Sequence, residues 1–220
     1  MRRPGICGVV VDGGLLDSKE VLNSVDLFEL RIDLAGSDWE QLVPKLNKPW
    51  IACARLKAEG GNWTGNEAQR ISALLKAAEL GAAIVDIEYQ AEGLASIVPL
   101  IKKRAKCLLS FHDFEKTPPF DELRKIVRQQ TAAGADICKV VTTACSFEDN
   151  ITMMELLKQF PKKNLIAFAM GSEGLNSRIL CPLAGNGFTY ASLEQGKESA
   201  PGQVTAIQLR KIYNMLTGGR

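Results

Sequence analysis

Histidine is nearly absent from this chain: 220 residues contain one, His112. Cysteine occurs six times, at Cys7, Cys53, Cys107, Cys138, Cys145 and Cys181, and never as a CxxC pair. Zinc sites need several His and Cys ligands at close spacing, so no metal site is expected. Most of the cysteines sit in apolar runs. They read as small buried hydrophobes that stay thiols in a reducing compartment. Long apolar runs are also missing. The opening "MRRPGICGVVVDGG" has an apolar run that Gly and Asp interrupt, which argues against a signal peptide or a membrane helix. The cytoplasm is therefore the expected compartment. A net charge of +2 gives no electrostatic footing for nucleic acid or a membrane surface. No GxGxxG follows the first strand-like run, so no dinucleotide cofactor is expected, and no other cofactor is assigned.

What is there is an alternating pattern. Strand-like runs lie at 5–11, 27–34, 49–56, 83–89, 106–114, 136–143, 164–171 and 188–193. Helix-period segments fall between them. The clearest is 66–82, with Ile71, Leu74, Leu75 and Ala78 on one stripe and Gly81 as its stop. Segments 120–135, 146–160 and 202–216 follow the same rule, with Ser146 as an N-cap. No Gly/Ser linker or low-complexity stretch divides the chain. Eight strand–helix units predict an α/β architecture, a parallel (β/α)8 TIM barrel, as a single catalytic domain over 1–220. An open doubly wound sheet is the structural alternative.

Several of these runs carry charges that do not belong in a core. In "LFELRIDL" alternation puts Leu30, Ile32 and Leu34 on one face and Glu29, Arg31 and Asp33 on the other. "VDIE" repeats the pattern with Asp86 and Glu88. Arg55 ends the third run, His112 lies at the end of the fifth and Lys139 lies inside the sixth. Buried charges are expensive unless paired. Salt bridges that hold the barrel together are the plainer account, and the preferred one for Asp33 and Glu88. The whole set instead gathers toward C-terminal strand ends, the face where barrel enzymes keep their sites.

Lys139 and His112 give that face a chemistry. Apolar packing and neighbouring cations are expected to lower the pKa of Lys139, and a neutral amine attacks a carbonyl to give a Schiff base. A Schiff base acidifies the adjacent carbon, and an imidazole can take and return that proton. Two loops suit an anion: Gly171, Ser172 and Gly174 lead into Arg178, and Ser199, Gly202 and Gln203 open the last helix. The polar stretch 55–67 reads as a lid that brings Glu59 over the site, anchored by Trp63.

The motifs "ELRID", "ARLKAEGG", "SFHDFEKTP", "DICKVV", "MGSEGLNSR" and "SAPGQ" occur in this order from Glu29 to Gln203. Together they resemble the type I 3-dehydroquinate dehydratases, the Schiff-base dehydratases of the shikimate pathway. The resemblance implies that Lys139 condenses with the C3 ketone of 3-dehydroquinate. It implies that His112 moves the C2 proton and protonates the leaving C1 hydroxyl, with Glu59 orienting His112 and Asp86 assisting. Glu29, Arg31 and Arg55 would hold ring hydroxyls and balance charge near Lys139. Arg178, Ser199 and Gln203 would take the carboxylate, and Met170 and Tyr190 would wall the site. It implies a homodimer with a small-molecule substrate. Two alternatives stay open on the residues alone: a Schiff-base aldolase for a phosphorylated sugar, and a non-catalytic metabolite-binding barrel.

Overall fold

A computed structural model describes residues 3–162 and 164–218 of the chain. Eight strands alternate with helices. They are β1 (Gly5–Val10), β2 (Leu27–Arg31), β3 (Trp50–Cys53), β4 (Ile84–Glu88), β5 (Lys106–His112), β6 (Ile137–Thr143), β7 (Leu165–Met170) and β8 (Phe188–Ser192). The helices are α1 (Lys19–Ser24), α2 (Ile32–Ala35), α3 (Glu67–Glu79), α4 (Leu94–Ile101), α5 (Phe120–Ala132), α6 (Phe147–Gln159), α7 (Leu175–Ala184) and α8 (Ala206–Thr217). All ladders are parallel, in the order β7-β6-β5-β4-β3-β2-β1-β8, so the sheet curls into a nearly closed (β/α)8 barrel. No described helix is long and apolar enough to cross a membrane.

Strand alternation sorts the side chains into two cores. Ile6, Val10, Phe28, Leu30, Val85, Ile87, Cys107 and Leu109 point outward and pack on the helices with Leu74, Ala77, Leu209 and Tyr213. Cys7, Ile51, Ile84, Leu108, Ile137 and Ile166 point inward and fill the barrel. The inward positions one step further along β2, β4, β5 and β6 are Glu29, Asp86, Ser110 and Lys139, all at most 5% exposed. The barrel thus has an apolar lower layer and a charged layer above it, toward the C-terminal strand ends.

Local signals set several boundaries differently from the sequence pattern. β2 stops at Arg31, and Ile32–Ala35 is one helical turn that leaves Leu34 38% exposed rather than in the buried set. The cause is Asp33, whose carboxylate accepts the backbone N–H groups of Arg55 and Asn62 and so turns the chain away from the strand. β3 ends at Cys53, which puts Arg55 in the following loop. The last helix begins at Ala206, not 202, because Thr205 and Gln208 form a reciprocal capping box there. Gln203 consequently lies in a loop. Asn66 with Gln69 caps α3 in the same way, and Gly81 follows its end at φ +99°.

The barrel's one irregular seam lies between β7 and β8, which share no ladder among the described residues. β7 still needs partners for its outward N–H groups. Ala167 donates to Asn186 Oδ1 (3.0 Å), and Asn186 Nδ2 donates back to the Ala167 carbonyl (3.2 Å), so one side-chain amide imitates a strand. Ala169 donates to Ser177 Oγ and Gly171 to the Pro201 carbonyl. Asn186→Ala orphans two buried backbone groups, at about 1–3 kcal/mol each. For a chain of this size each kcal/mol lowers Tm by about 2–4 °C. Calorimetry should therefore show a clear drop, and an unchanged Tm would show that the seam relaxes at no cost.

Candidate active site

The charged layer opens into a cleft of about 460 Å³ at the C-terminal end of the barrel. Its lining includes all nine residues expected from sequence: Glu29, Arg31, Arg55, Glu59, His112, Lys139, Arg178, Ser199 and Gln203. Met170 and Tyr190 are also in the wall. Asp86 lies beneath, and Asp33 and Glu88 stand behind as structural partners. Trp63 packs partly buried against the outer core, as an anchor of its loop should.

Lys139 lies at the bottom. Its Nζ donates to Asp86 Oδ2 at 3.0 Å, stands 3.8 Å from Glu29 Oε2 and sits over the Tyr190 ring, 4.2 Å from the centroid. The lowered pKa expected for this lysine is not found. Burial pulls it down, but Asp86 and Glu29 outweigh burial and Arg55, and the pKa is raised. At rest the amine is an ammonium. The nearest cations seen in the sequence, Arg55 and Arg31, are matched by carboxylates, Arg55 by Asp86 and Glu88 and Arg31 by Asp33.

Asp86 also accepts from Arg55 Nη2 (2.6 Å) and Ser110 Oγ (2.7 Å). Although burial opposes it, Arg55 and Lys139 hold its carboxyl well below the usual range. Arg55 further donates through Nη1 to Glu88 (3.0 Å) and Ser110 (2.6 Å). Arg70 from α3 ties Glu88 in turn. Arg31 spends Nε and Nη2 on a two-pronged bond to Asp33 (2.9 and 2.7 Å).

His112 lies at the end of β5, two residues beyond Ser110, which is in register with Lys139 on β6. It therefore stands one inward step above the lysine on the neighbouring strand. Its Nδ1 is 2.8 Å from Glu59 Oε2. Burial pushes the Glu59 carboxyl up to about 7. Burial, with Arg55 and Lys139, pushes the imidazole well below its usual value. The neutral ring that donates Nδ1–H to Glu59 leaves Nε2 as the free base.

The loop holding Glu59 is fastened at several points. Leu56 N–H donates to Glu88, Asn62 N–H to Asp33 and Trp63 N–H to the Arg55 carbonyl. Gly60, at φ +74°, lies directly under the Phe114 ring, where a Cβ would come within 2.0 Å. Across the cleft, Arg178 is 1% exposed and has no acidic partner among the described residues. It stacks on Phe168 (4.6 Å), makes long bonds to the Tyr190 and Pro201 carbonyls, and leaves Nε without a partner. Burial lowers its pKa to about 10. A buried, uncompensated guanidinium is a site for an anion. Ser199 donates from N and Oγ to Gln203 Oε1, which leaves the Gln203 amide hydrogens as donors.

Sequence reasoning missed Ser110, Cys53, Phe114 and Phe168. Alternation could have found two of them, since Ser110 and His112, and Phe168 and Met170, share inward faces. Glu29, Cys53 and Asp86 also bring ligand-capable atoms within 4.8 Å of one another. Burial keeps the Cys53 thiol protonated and Lys139 and Arg55 already neutralise the acids, so the set does not suit a cation.

The type I 3-dehydroquinase family profile matches residues 11–220. A 3-dehydroquinate dehydratase of Dehalococcoides mccartyi is 45% identical over 213 residues, which is 97% of this chain and 96% of the relative. One from Methanocaldococcus jannaschii is 36% identical and covers 94% of each chain. The solved structure of the Geobacillus kaustophilus 3-dehydroquinate dehydratase matches with a TM-score of 0.87 at 27% identity, over 98% of this chain and 91% of that one. The Clostridium difficile type I enzyme, carrying covalently modified comenic acid, shares the fold with a TM-score of 0.87 at 21% identity, over 100% of this chain and 95% of that one.

Because the chain has a single histidine, its imidazole can be followed by NMR without assignment. The His112 titration should have its midpoint below 6.5, because burial and the Arg55 and Lys139 cations disfavour the imidazolium. A midpoint at or above 6.5 would mean that Glu59, not burial, dominates the ring.

Proposed function

The chain belongs to the type I 3-dehydroquinase family, and from that premise we propose that it dehydrates 3-dehydroquinate to 3-dehydroshikimate through a Schiff base on Lys139. It is a lyase of the shikimate pathway. The observation that carries the residue roles is a buried lysine beneath the His112–Glu59 pair, in a cleft whose far wall holds an unpaired buried arginine.

Lys139 adds to the C3 carbonyl and water leaves, giving a protonated iminium. His112 Nε2 takes a proton from C2, and the electron pair moves toward the iminium nitrogen as an enamine. The C1 hydroxyl then leaves as water, taking its proton from the imidazolium, and hydrolysis frees Lys139 and the product. Glu59 orients the ring and stabilises its charged form. Asp86 and Glu29 balance the cation at nitrogen. Arg55 is spent on charge balance, whereas Arg31 keeps Nη1 and Glu29 a carboxylate oxygen for ring hydroxyls. Arg178, Ser199 and Gln203 receive the C1 carboxylate, with Met170 and Tyr190 as walls.

Residues 1–220 work as one catalytic domain without metal, cofactor or nucleic acid. None of the six cysteines is in a disulfide and five are buried, in keeping with the reducing cytoplasm. Exposed Phe147 and Ile151, one turn apart on α6, are in keeping with a homodimer.

Borohydride reduction with 3-dehydroquinate, in EDTA-treated buffer without nucleotide, should add one ligand mass on Lys139. A parallel incubation with sugar phosphates should add none. Label elsewhere, or only from the sugar phosphates, would overturn the reading in favour of another enzyme, and no label at all would favour a binding barrel.

Arg178→Lys keeps the charge and loses the planar fork. It should weaken substrate binding by about 1–3 kcal/mol, the scale of a charged hydrogen bond. If Arg178 only ties the segment after β7 to β8 and the loop before the last helix, Tm should fall while KM stays unchanged.

A further inference from the structure

The Schiff-base reading needs Lys139 as a neutral amine, yet the resting site holds it as an ammonium. A proton must leave Nζ before the carbon–nitrogen bond forms. The groups facing Nζ are Cys7 from β1, Glu29 from β2, Cys53 from β3, Asp86 from β4, His112 from β5 and Tyr190 from β8, with Arg55 and Glu59 nearby. The thiols and the phenol are held protonated by burial. Asp86 is saturated by Arg55, Ser110 and Lys139 itself. His112 and Glu59 are bonded to each other through Nδ1, and the His112 Nε2 must be unprotonated for the proton transfer at C2 that follows.

Glu29 is different. It is 3% exposed, and its Oε2 is buried, has no hydrogen-bond partner in the protein and faces Nζ at 3.8 Å. A rotation at the end of the lysine stem closes that gap. We propose that Glu29 accepts the proton from the Lys139 ammonium and returns it to the carbinolamine oxygen. The role rests on the Schiff-base reading of Lys139. Burial raises the Glu29 carboxyl, against the pull of Lys139 and Arg31, which suits a group that must hold a proton briefly.

The steps balance. Glu29 becomes a carboxylic acid as Lys139 becomes an amine. The amine lone pair bonds to C3 and its remaining excess proton passes to the former carbonyl oxygen. The Glu29 acid then protonates that hydroxyl, which departs as water as the nitrogen lone pair closes the iminium. Ketone and ammonium have become iminium and water, and Glu29 is again a carboxylate beside the new cation.

The test is rapid-quench borohydride trapping at saturating 3-dehydroquinate. In the wild-type protein the trapping rate should vary little between pH 7 and 9. In Glu29→Gln it should fall by about 10²-fold or more at pH 7 and climb with pH as solvent removes the proton. Glu29→Asp keeps the charge and withdraws it by one methylene. It should be slower than wild type with the wild-type pH profile, and it serves as the test if Glu29→Gln does not fold. Wild-type trapping at saturation by Glu29→Gln, with only the half-saturating concentration raised, would overturn the proposal and leave Glu29 as a hydroxyl ligand. So would a rate for Glu29→Asp that rises with pH. A wild-type protein that cannot be trapped at all would overturn the Schiff-base reading instead.

Discussion

The upper half of the barrel depends on the carboxylate of Asp86. It is 1% exposed and is shared by two buried cations, Arg55 and Lys139. Taking away one partner of a buried ion pair costs about 3–5 kcal/mol, because a charge is left stranded. Here the consequence spreads further. Arg55 carries the link to Glu88, and Glu88 carries it to Arg70 on α3 and to the Leu56 N–H. Asp33 fastens Asn62 in the same loop. The position of Glu59, and through it the orientation of His112, is therefore set by a charge network centred on β4, the strand between β3, which leads to Glu59, and β5, which carries His112.

Such a network is a poor device for stability alone. Well-packed hydrophobic residues would serve as well or better, and the lower layer of this barrel is filled that way by Ile51, Ile84, Leu108, Ile137 and Ile166. The charges are confined to the one layer that meets the cleft. Their arrangement suits a positive nitrogen at Lys139 throughout the reaction. In the proposed mechanism the ammonium at rest and the iminium in the intermediate carry the same charge in the same place, so Asp86, Glu29 and the Tyr190 face need not reorganise between them. The cost is the single deprotonation between these states.

The fold was legible because strand alternation is a local property. Glu29 and Arg31, Asp86 and Glu88, and Ser110 and His112 each share a face by period alone, and the motifs tied those faces to one chemistry. What failed to show was set by contacts distant in sequence. The charge state of Lys139 is decided by Glu29 and Asp86, on strands with no sequence proximity to it. The end of β2 is decided by backbone groups near residue 55 that Asp33 captures. The start of α8 is the exception: Thr205 and Gln208 form a local signal that the glycine and glutamine before them masked.

The seam between β7 and β8 completes the site rather than weakening the barrel. A regular ladder there would bring β8 against β7 along its length and leave no room for a side chain. Instead Asn186 and Ser177 satisfy the β7 backbone, and the gap above them admits Arg178, stacked on Phe168 of one strand and bonded to the Tyr190 carbonyl of the other. The two loops above close tightly: a Cβ on Gly202, at φ +70°, would lie 2.3 Å from the Gly171 carbonyl oxygen. That contact carries Ser199 and Gln203 to the arginine's side of the cleft. On the proposed reading, a cation with no acidic partner among the described residues, donors beside it and a lysine across the cleft orient an anionic ketone with its carboxylate toward the seam and its carbonyl toward β6. In that reading the break in strand pairing sets the direction in which the substrate lies, as the Asp86 network sets the chemistry it meets.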